Sequence, residues 1–165
     1  MSCEYTVRSS AVPEGVLDVS FLIHSYFDNP LKEHSISFLS EVLTQGKRAV
    51  LPVSAVLCAY HIATRYLRVP RLTVKKNLEG ILRSGSPALY PQIIAQTALD
   101  ALDYASTYNI ESWDGYFVSL ARSLGSTVVF SLDAELAKIR EVIVVNPLPL
   151  DEVERYHEFM KNKMC

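Results

Sequence analysis

The chain alternates short, almost wholly apolar runs with longer segments whose apolar residues recur at helical spacing. Runs that stay apolar along most of their length are typical of strands buried on both faces of a parallel sheet. They predict strands at about residues 15–19, 49–53, 88–90, 127–131 and 142–145. The intervening segments predict helices at about residues 21–27, 31–44, 55–67, 71–82, 92–108, 114–124, 134–139 and 150–161.

Strands that alternate with helices predict an α/β fold, a three-layer α/β/α sandwich with a central parallel sheet. We expect a single domain over residues 1–165, with its core at about 15–147 and a C-terminal helical tail at 148–165. The tail carries apolar residues at helical spacing, so it either packs on the domain or docks against another chain. Two residues are placed to cap helices: Ser54 at the start of the helix at about residues 55–67, and Asn109 at the end of the helix at about 92–108.

Composition narrows the class of protein. The chain is 49% hydrophobic and 21% charged, which is typical of a folded globular domain. Its net charge of −2 provides no overall basic field for nucleic acid, so RNA or DNA would need a local basic patch. A solvated helix surface is the simpler interpretation of the basic residues around Pro70, which are Arg65, Arg68, Arg71, Lys75 and Lys76.

Cysteine usage and the lack of targeting signals indicate a compartment. Cys3, Cys58 and Cys165 are scattered and form no CxxC pair, which disfavours a zinc site or a disulfide framework. The N-terminus has no signal-peptide pattern, and the apolar stretch at residues 49–63 is too short to cross a bilayer. We therefore expect a cytoplasmic protein that does not enter a membrane.

Three aspartates stand where a parallel sheet would bring them to one cleft. Asp18 ends the first apolar run, Asp133 follows the run at 127–131, and Asp114 opens an amphipathic helix. Ligand sites in such sheets lie outside the carboxyl ends of the strands. Carboxylates gathered without basic partners are costly unless a cation neutralises them, and Mg²⁺ or Mn²⁺ prefers oxygen ligands of this kind. The pattern predicts a metal-dependent site that cleaves phosphodiesters.

Some of these residues also have a purely structural interpretation. Asp114 is favoured by the dipole at a helix N-terminus, and Asp133 is placed to cap the helix that follows it. Asp18 sits within an apolar strand end and has no comparable local role. Trp113 and Tyr116 are candidates for stacking on nucleobases, but their helical spacing favours packing in the core.

Four segments, in order, resemble the motifs of the PIN domain, the nuclease fold that includes the VapC toxins of prokaryotic toxin–antitoxin pairs. They are residues 16–20 (VLDVS), 108–114 (YNIESWD), 128–136 (VVFSLDAEL) and 142–147 (VIVVNP), and the resemblance covers about residues 15–147. It implies a metal-dependent endoribonuclease that acts on single-stranded RNA, with Asp18, Asp114 and Asp133 as catalytic residues and ligands of Mg²⁺ or Mn²⁺. Ser20 and Ser131 would then orient the carboxylates or the metal's waters. A homodimer and an antitoxin protein are further implied partners.

The chain departs from that family at one position. The family carries a second acid early in the helix after the second strand, where the alignment places Cys58 or Ala59. Neither residue replaces a carboxylate as the ligand of a hard cation. Two alternatives follow: a catalytically inactive PIN-like module that binds RNA or a protein, and a VapC-type toxin neutralised by an antitoxin. A third, an unrelated enzyme of flavodoxin-like topology, is disfavoured because the chain lacks a glycine-rich phosphate loop.

Overall fold

The computed structural model describes residues 12–164 of the chain. Within this range the strands are β1 (Gly15–Leu17), β2 (Ala49–Pro52), β3 (Leu89–Tyr90), β4 (Val128–Phe130) and β5 (Ile143–Val145). The helices are α1 (Ser20–His24), α2 (Lys32–Leu43), α3 (Val53–Arg65), α4 (Arg71–Arg83), α5 (Ala95–Tyr108), α6 (Ser112–Ser123) and α7 (Leu150–Met164). A short 3-10 helix at Ala134–Lys138 joins β4 to β5.

The strands form one parallel sheet in the order β3-β2-β1-β4-β5. Because parallel crossovers are right-handed, α1–α4 cover one face of this sheet, and α5, α6 and the 3-10 helix cover the other. The prediction of a three-layer α/β/α sandwich with a central parallel sheet is confirmed. No helix within residues 12–164 is long and apolar enough to cross a membrane.

The core lies against the middle of the sheet, where apolar strands face apolar helix stripes. Val16, Leu17 and Val129 of the central strands are fully buried. On the face covered by α1 and α2, the ring of Phe38 packs on Phe21 at 5.0 Å between centroids and on Phe130 at 5.4 Å. This burial on both faces explains why the strand sequences are continuously apolar instead of alternating.

Local signals at helix ends were only partly correct. Asn109 ends α5 in the left-handed conformation with φ of 53°, as its C-cap position predicts. The prediction that Ser54 caps the next helix is wrong, because α3 already begins at Val53 and Pro52 occupies the N-cap position. The backbone therefore turns from β2 into α3 one residue earlier than expected, and Ser54 becomes a residue of the helix itself.

The C-terminal helix packs back onto the domain. The ring of Tyr156 meets His24 of α1 edge-on at 4.6 Å between centroids, and Phe159 stacks on Phe27 at 6.5 Å. The ammonium group of Lys163 lies 4.7 Å from the centre of the Phe27 ring. Of the two roles open to the tail, the described contacts favour packing on the domain, against the end of α1 and Phe27 just after it.

One glycine sets the spacing between α5 and α6. A Cβ atom at Gly115 would stand 2.2 Å from the carbonyl oxygen of Ala101, so no larger residue fits between the two helices. The Ser119 hydroxyl donates to the Thr97 carbonyl at 2.8 Å one turn further along the same crossing. Close packing of this pair holds the first turn of α6 against the carboxyl end of the sheet.

Candidate functional site

The sheet has a topological switch point between β1 and β4. The chain winds from β1 outward to β2 and β3, then returns to place β4 on the other side of β1. Ligand crevices of open parallel sheets form outside the carboxyl ends of the strands at such a point. Asp18 directly follows β1, and Asp133 lies three residues beyond the end of β4. Both predicted acids therefore flank the crevice that the topology creates.

Asp18 is held in place by two serines. Its side chain is buried, with 3% of its surface exposed. Oδ1 accepts hydrogen bonds from the Ser20 backbone N–H at 2.8 Å and from the Ser20 hydroxyl, and Oδ2 accepts from the Ser131 hydroxyl. Burial raises the pKa of Asp18 to about 6 although these bonds favour the charged form, and the charge of Asp133 raises it further. The two serines predicted to orient carboxylates thus both contact this one.

Asp114 approaches the same point from α6. It is the third residue of that helix, and only 9% of its surface is exposed. Burial is the largest cause that raises the pKa of Asp114 to about 7, followed by the charges of Asp18 and Asp133. No ion pair within residues 12–164 involves any of the three aspartates. No basic side chain among the described residues therefore offsets the repulsion between the three carboxylates.

Asp133 has the structural role that its position suggested. Its Oδ1 accepts a hydrogen bond from the Glu135 backbone N–H at 2.8 Å and so caps the 3-10 helix. Its own backbone N–H donates to the Ser131 hydroxyl at 2.9 Å. Ser131 therefore links Asp133 to Asp18 through one hydroxyl, which donates to the carboxylate and accepts from the backbone. Asp133 is half-buried and its charge acts on both other aspartates.

Two acids that the sequence did not single out line the cavity at this point, and Asp18 does not. The cavity, of about 350 Å³, is lined by Asn109, Ile110, Glu111, Asp114, Asp133 and Glu135, whereas Asp18 is buried and is not one of its lining residues. Glu111 stands three residues before Asp114, and the negative charge of Glu111 contributes to the raised pKa of Asp114. Glu111 is the extended N-cap residue of α6, so the junction between α5 and α6 places it and helical spacing in the sequence does not.

The structure also distinguishes the two residues aligned with the missing acid. Ala59 is fully buried in the core, whereas Cys58 is half-buried and faces the aspartates. Burial raises the pKa of the Cys58 thiol to about 12, and the charges of Asp114, Asp18 and Glu111 raise it further. The thiol is therefore neutral at ordinary pH and supplies no charge where the family would place a carboxylate.

The donor atoms suit a hard cation, but their arrangement does not yet form a complete ligand set. Within residues 12–164, no three His, Cys, Asp or Glu side chains stand close enough to hold a metal ion together. Both oxygens of Asp18 accept from serines, and one oxygen of Asp133 caps a helix. The donors are nonetheless carboxylates alone, two of them buried without counter-charge, and this is the chemistry that Mg²⁺ or Mn²⁺ satisfies.

Comparisons with known proteins assign no family to this geometry. No protein-family model matches the chain, and no curated protein matches it. A function for the cleft therefore rests on the residues that form it.

Proposed function

We propose that this protein is a metal-dependent endoribonuclease of the PIN type, which hydrolyses phosphodiester bonds of single-stranded RNA at the cleft of Asp18, Asp114 and Asp133. One observation carries the proposal: buried carboxylates with raised pKa values converge, without a basic partner among the described residues, at the switch point of a parallel sheet. Perturbed acids that lie in a cleft are candidates for a functional site.

The PIN resemblance supplies the reaction, and the fold agrees with it. The order of the four motifs requires two acids at the ends of neighbouring parallel strands and a third at the start of a helix. Asp18, Asp133 and Asp114 occupy those places. This agreement supports the proposal, because Asp18 has no capping role of its own and still lies where the charges of Asp133 and Asp114 act with it.

Different residues of the site would bind the cation and position the phosphate. Asp18 would be the ligand whose orientation Ser20 and Ser131 fix, although it would have to give up a serine hydrogen bond to bind a cation. Asp114 and the free oxygen of Asp133 face the same cleft, and Glu111 adds a carboxylate at its wall. Bound Mg²⁺ or Mn²⁺ would supply positive charge for the scissile phosphate and lower the pKa of a water molecule. Hydrolysis then requires that these side chains keep the phosphate and water in line.

RNA would have to reach a cleft that is itself negative. The turn between α3 and α4 offers exposed basic residues, among them Arg65, Arg68 and Arg71. Lys75 of the same cluster is paired with Glu79 at 3.1 Å and is less available. Exposed arginines can contact phosphates along a strand that passes the cleft, which would make RNA affinity fall with salt.

The second candidate is a PIN-like module that binds RNA or a protein without cleaving it. Cys58 is the observation that favours it, because a neutral thiol stands where a fourth carboxylate is expected. The incomplete ligand set among the described residues points the same way. A cleft of this kind would keep its shape but hold a cation too weakly to work.

Cleavage of labelled single-stranded RNA with Mg²⁺, Mn²⁺ or EDTA separates the two candidates. Cleavage that requires metal and is lost in Asp18→Asn is the result expected of the nuclease. Absence of cleavage by folded protein with either metal would overturn it. Cys58→Glu then tests the degenerate position, since a restored acid should increase the rate, whereas the uncharged control Cys58→Gln should not.

The resemblance brings further partners into the proposal. A second copy of the chain, an antitoxin protein and a cytoplasmic location all belong to the VapC-like version. Light scattering of the purified protein tests the homodimer, and toxicity on expression, relieved by Asp18→Asn, tests the toxin. A monomer that is harmless when expressed would remove this version while leaving the nuclease chemistry open to its own test.

A further inference from the structure

The cavity of about 350 Å³ beside the aspartates is lined by four carboxylates, those of Glu111, Asp114, Asp133 and Glu135, and none of its lining residues is basic. Glu111 and Glu135 are exposed, Asp133 is half-buried and Asp114 is buried. The carboxylates therefore surround an open space that ions in solution can enter.

The Asp114 carboxylate borders this space without a partner. Only 9% of the residue's surface is exposed, and its side chain makes no hydrogen bond or ion pair within residues 12–164. The unpartnered side-chain atoms that are sealed from solvent in this range are the hydroxyls of Tyr26 and Ser54. The oxygens of Asp114 are therefore within reach of a ligand in the cavity, and a buried carboxylate is costly unless it is paired or binds a metal.

Local structure does not explain the glutamate at position 111. Glu111 occupies the N-cap position of α6, but its side chain does not cap the helix. Ser, Thr, Asp and Asn are preferred at this position, because their short side chains accept from the first N–H groups of the helix. Glu111 also makes no ion pair within residues 12–164. Its carboxylate is therefore free to turn into the cavity that it lines.

The charge of Glu111 acts where the chain lacks an acid. Burial is the largest cause of the raised pKa at Asp114 and at the Cys58 thiol, and the negative charge of Glu111 is a smaller cause at both residues. Of the two residues aligned with the missing acid, Cys58 is the one that faces the aspartates. Glu111 therefore brings negative charge to the same space from α6 instead of from α3.

The spacing of the carboxylates suits a cation that keeps its water. Within residues 12–164, no three such side chains stand close enough to bind one bare ion. Mg²⁺ gives up its waters reluctantly and is usually held by one or two carboxylates. A cation with six waters, at about 30 Å³ for each water, occupies about 180 Å³. The cavity of about 350 Å³ has room for it.

We infer that this cavity holds a hydrated divalent cation, bound directly by Asp114 and through water by Glu111, and that Glu111 supplies the acid that is missing at Cys58. The inference rests on the proposed function, because it completes the ligand set of that same site. Asp133, with one oxygen not used in capping, is the second aspartate within reach of the ion. Asp18 is not one of the lining residues, so Glu111 is better placed to hold the ion's water.

Mn²⁺ binding to the full-length protein without RNA tests this inference, because bound Mn²⁺ loses the electron paramagnetic resonance signal of the free ion. At pH 8, Glu111→Gln should weaken Mn²⁺ binding about tenfold, since residues that act through a metal's ligands commonly change its affinity by about 10–100-fold. Glu135→Gln is the matched control, because it removes the same charge from the same cavity, but Glu135 is already paired with Lys138. Unchanged affinity in Glu111→Gln, or equal weakening in both variants, would overturn the inference.

A second carboxylate placed on α3 provides a rescue. Cys58→Glu added to Glu111→Gln should restore the Mn²⁺ affinity of the wild type, because negative charge then reaches the ion from the other helix. Cys58→Gln added to Glu111→Gln is the uncharged control and should restore nothing. Rescue by both substitutions at Cys58, or by neither in protein that thermal unfolding shows to be folded, would contradict the role given to Glu111.

Failure of this inference and failure of the proposed reaction give different results. Mn²⁺ binding requires no catalysis, so binding that depends on Glu111 without metal-dependent cleavage would support the cation site and refute the nuclease. Metal-dependent cleavage together with unchanged Mn²⁺ affinity in Glu111→Gln would refute the cation site and support the nuclease.

Discussion

Replacement of Asp18 by asparagine should stabilise the metal-free protein at neutral and alkaline pH. Burial raises the pKa of Asp18 from 3.8 to about 6. Each pKa unit corresponds to about 1.4 kcal/mol, so the charged form of Asp18 lowers the free energy of unfolding by about 3 kcal/mol at pH 8. Asparagine resembles the protonated acid in shape and charge, and it avoids this cost. It also lowers the pKa of Asp114, which the charge of Asp18 helps to raise.

The sign of the pH dependence follows from the same shifts. The folded protein binds protons on Asp18 and Asp114 at pH values where the unfolded chain has released them. The stabilisation from these acids is therefore fully present below about pH 4 and is lost as pH rises through 6 to 7. Wild type and Asp18→Asn should have similar stability in acid and diverge as pH increases.

Urea unfolding followed by circular dichroism at several pH values between 4.5 and 8 measures this divergence. Asp103→Asn, on the exposed surface of α5, is the control for removing a carboxylate that is not buried. Added Mn²⁺ should stabilise wild type more than Asp18→Asn, because a bound cation reverses the cost of the charge. A variant less stable than wild type at pH 8 in EDTA would refute the reasoning, since it would mean that the Ser20 and Ser131 bonds outweigh burial.

Three further changes test the site, the helix crossing and the tail. Cys58→Glu should tighten Mn²⁺ binding by about tenfold in calorimetry, because ligand charge sets affinity, and Cys58→Gln should leave it unchanged. Gly115→Ala should lower the free energy of unfolding in urea by about 2 kcal/mol or more, because the added Cβ would meet the Ala101 carbonyl oxygen. Gly80→Ala, which has open space around it, should raise that free energy by about 0.5–1 kcal/mol. Equal effects of the two substitutions would contradict the close approach at Gly115. Tyr156→Ala should lower the free energy of unfolding by about 1–2 kcal/mol by exposing His24, and no change would mean that α7 does not pack there.

The fold was predictable from sequence because one physical rule governs most of it. Strands buried on both faces must be continuously apolar, and helices between them must present one apolar stripe, so the order of elements fixes a parallel sheet. Strand ends were less predictable: β1 stops at Leu17 although the backbone N–H of Asp18 still bonds the Phe130 carbonyl, and the Asp18 side chain accepts from Ser20 and the distant Ser131. Such turns depend on contacts that are distant in sequence.

The candidate site was predictable only where topology alone decides position. Asp18 and Asp133 follow adjacent strands, so any parallel sheet in this order brings them together. Glu111 was missed because its place depends on how α5 and α6 are joined, through the left-handed turn at Asn109. Ser54 was wrongly predicted to be the N-cap of α3, because sequence spacing cannot fix the start of a helix to a single residue.

The cleft can relieve its charge in two ways, and they have different consequences. A cation can neutralise the carboxylates, or Asp18 and Asp114 can retain protons, as their pKa values of about 6 and 7 allow. A module that only binds RNA or protein could keep these acids protonated, but it would not need them. Asparagine at position 18 would give such a module a more stable fold. If Asp18→Asn stabilises the metal-free protein by the expected value of about 3 kcal/mol, Asp18 is kept at the expense of stability, as in a site that uses negative charge. That result together with metal-dependent cleavage would favour the proposed nuclease, and the same result without cleavage would favour a module that only binds a cation.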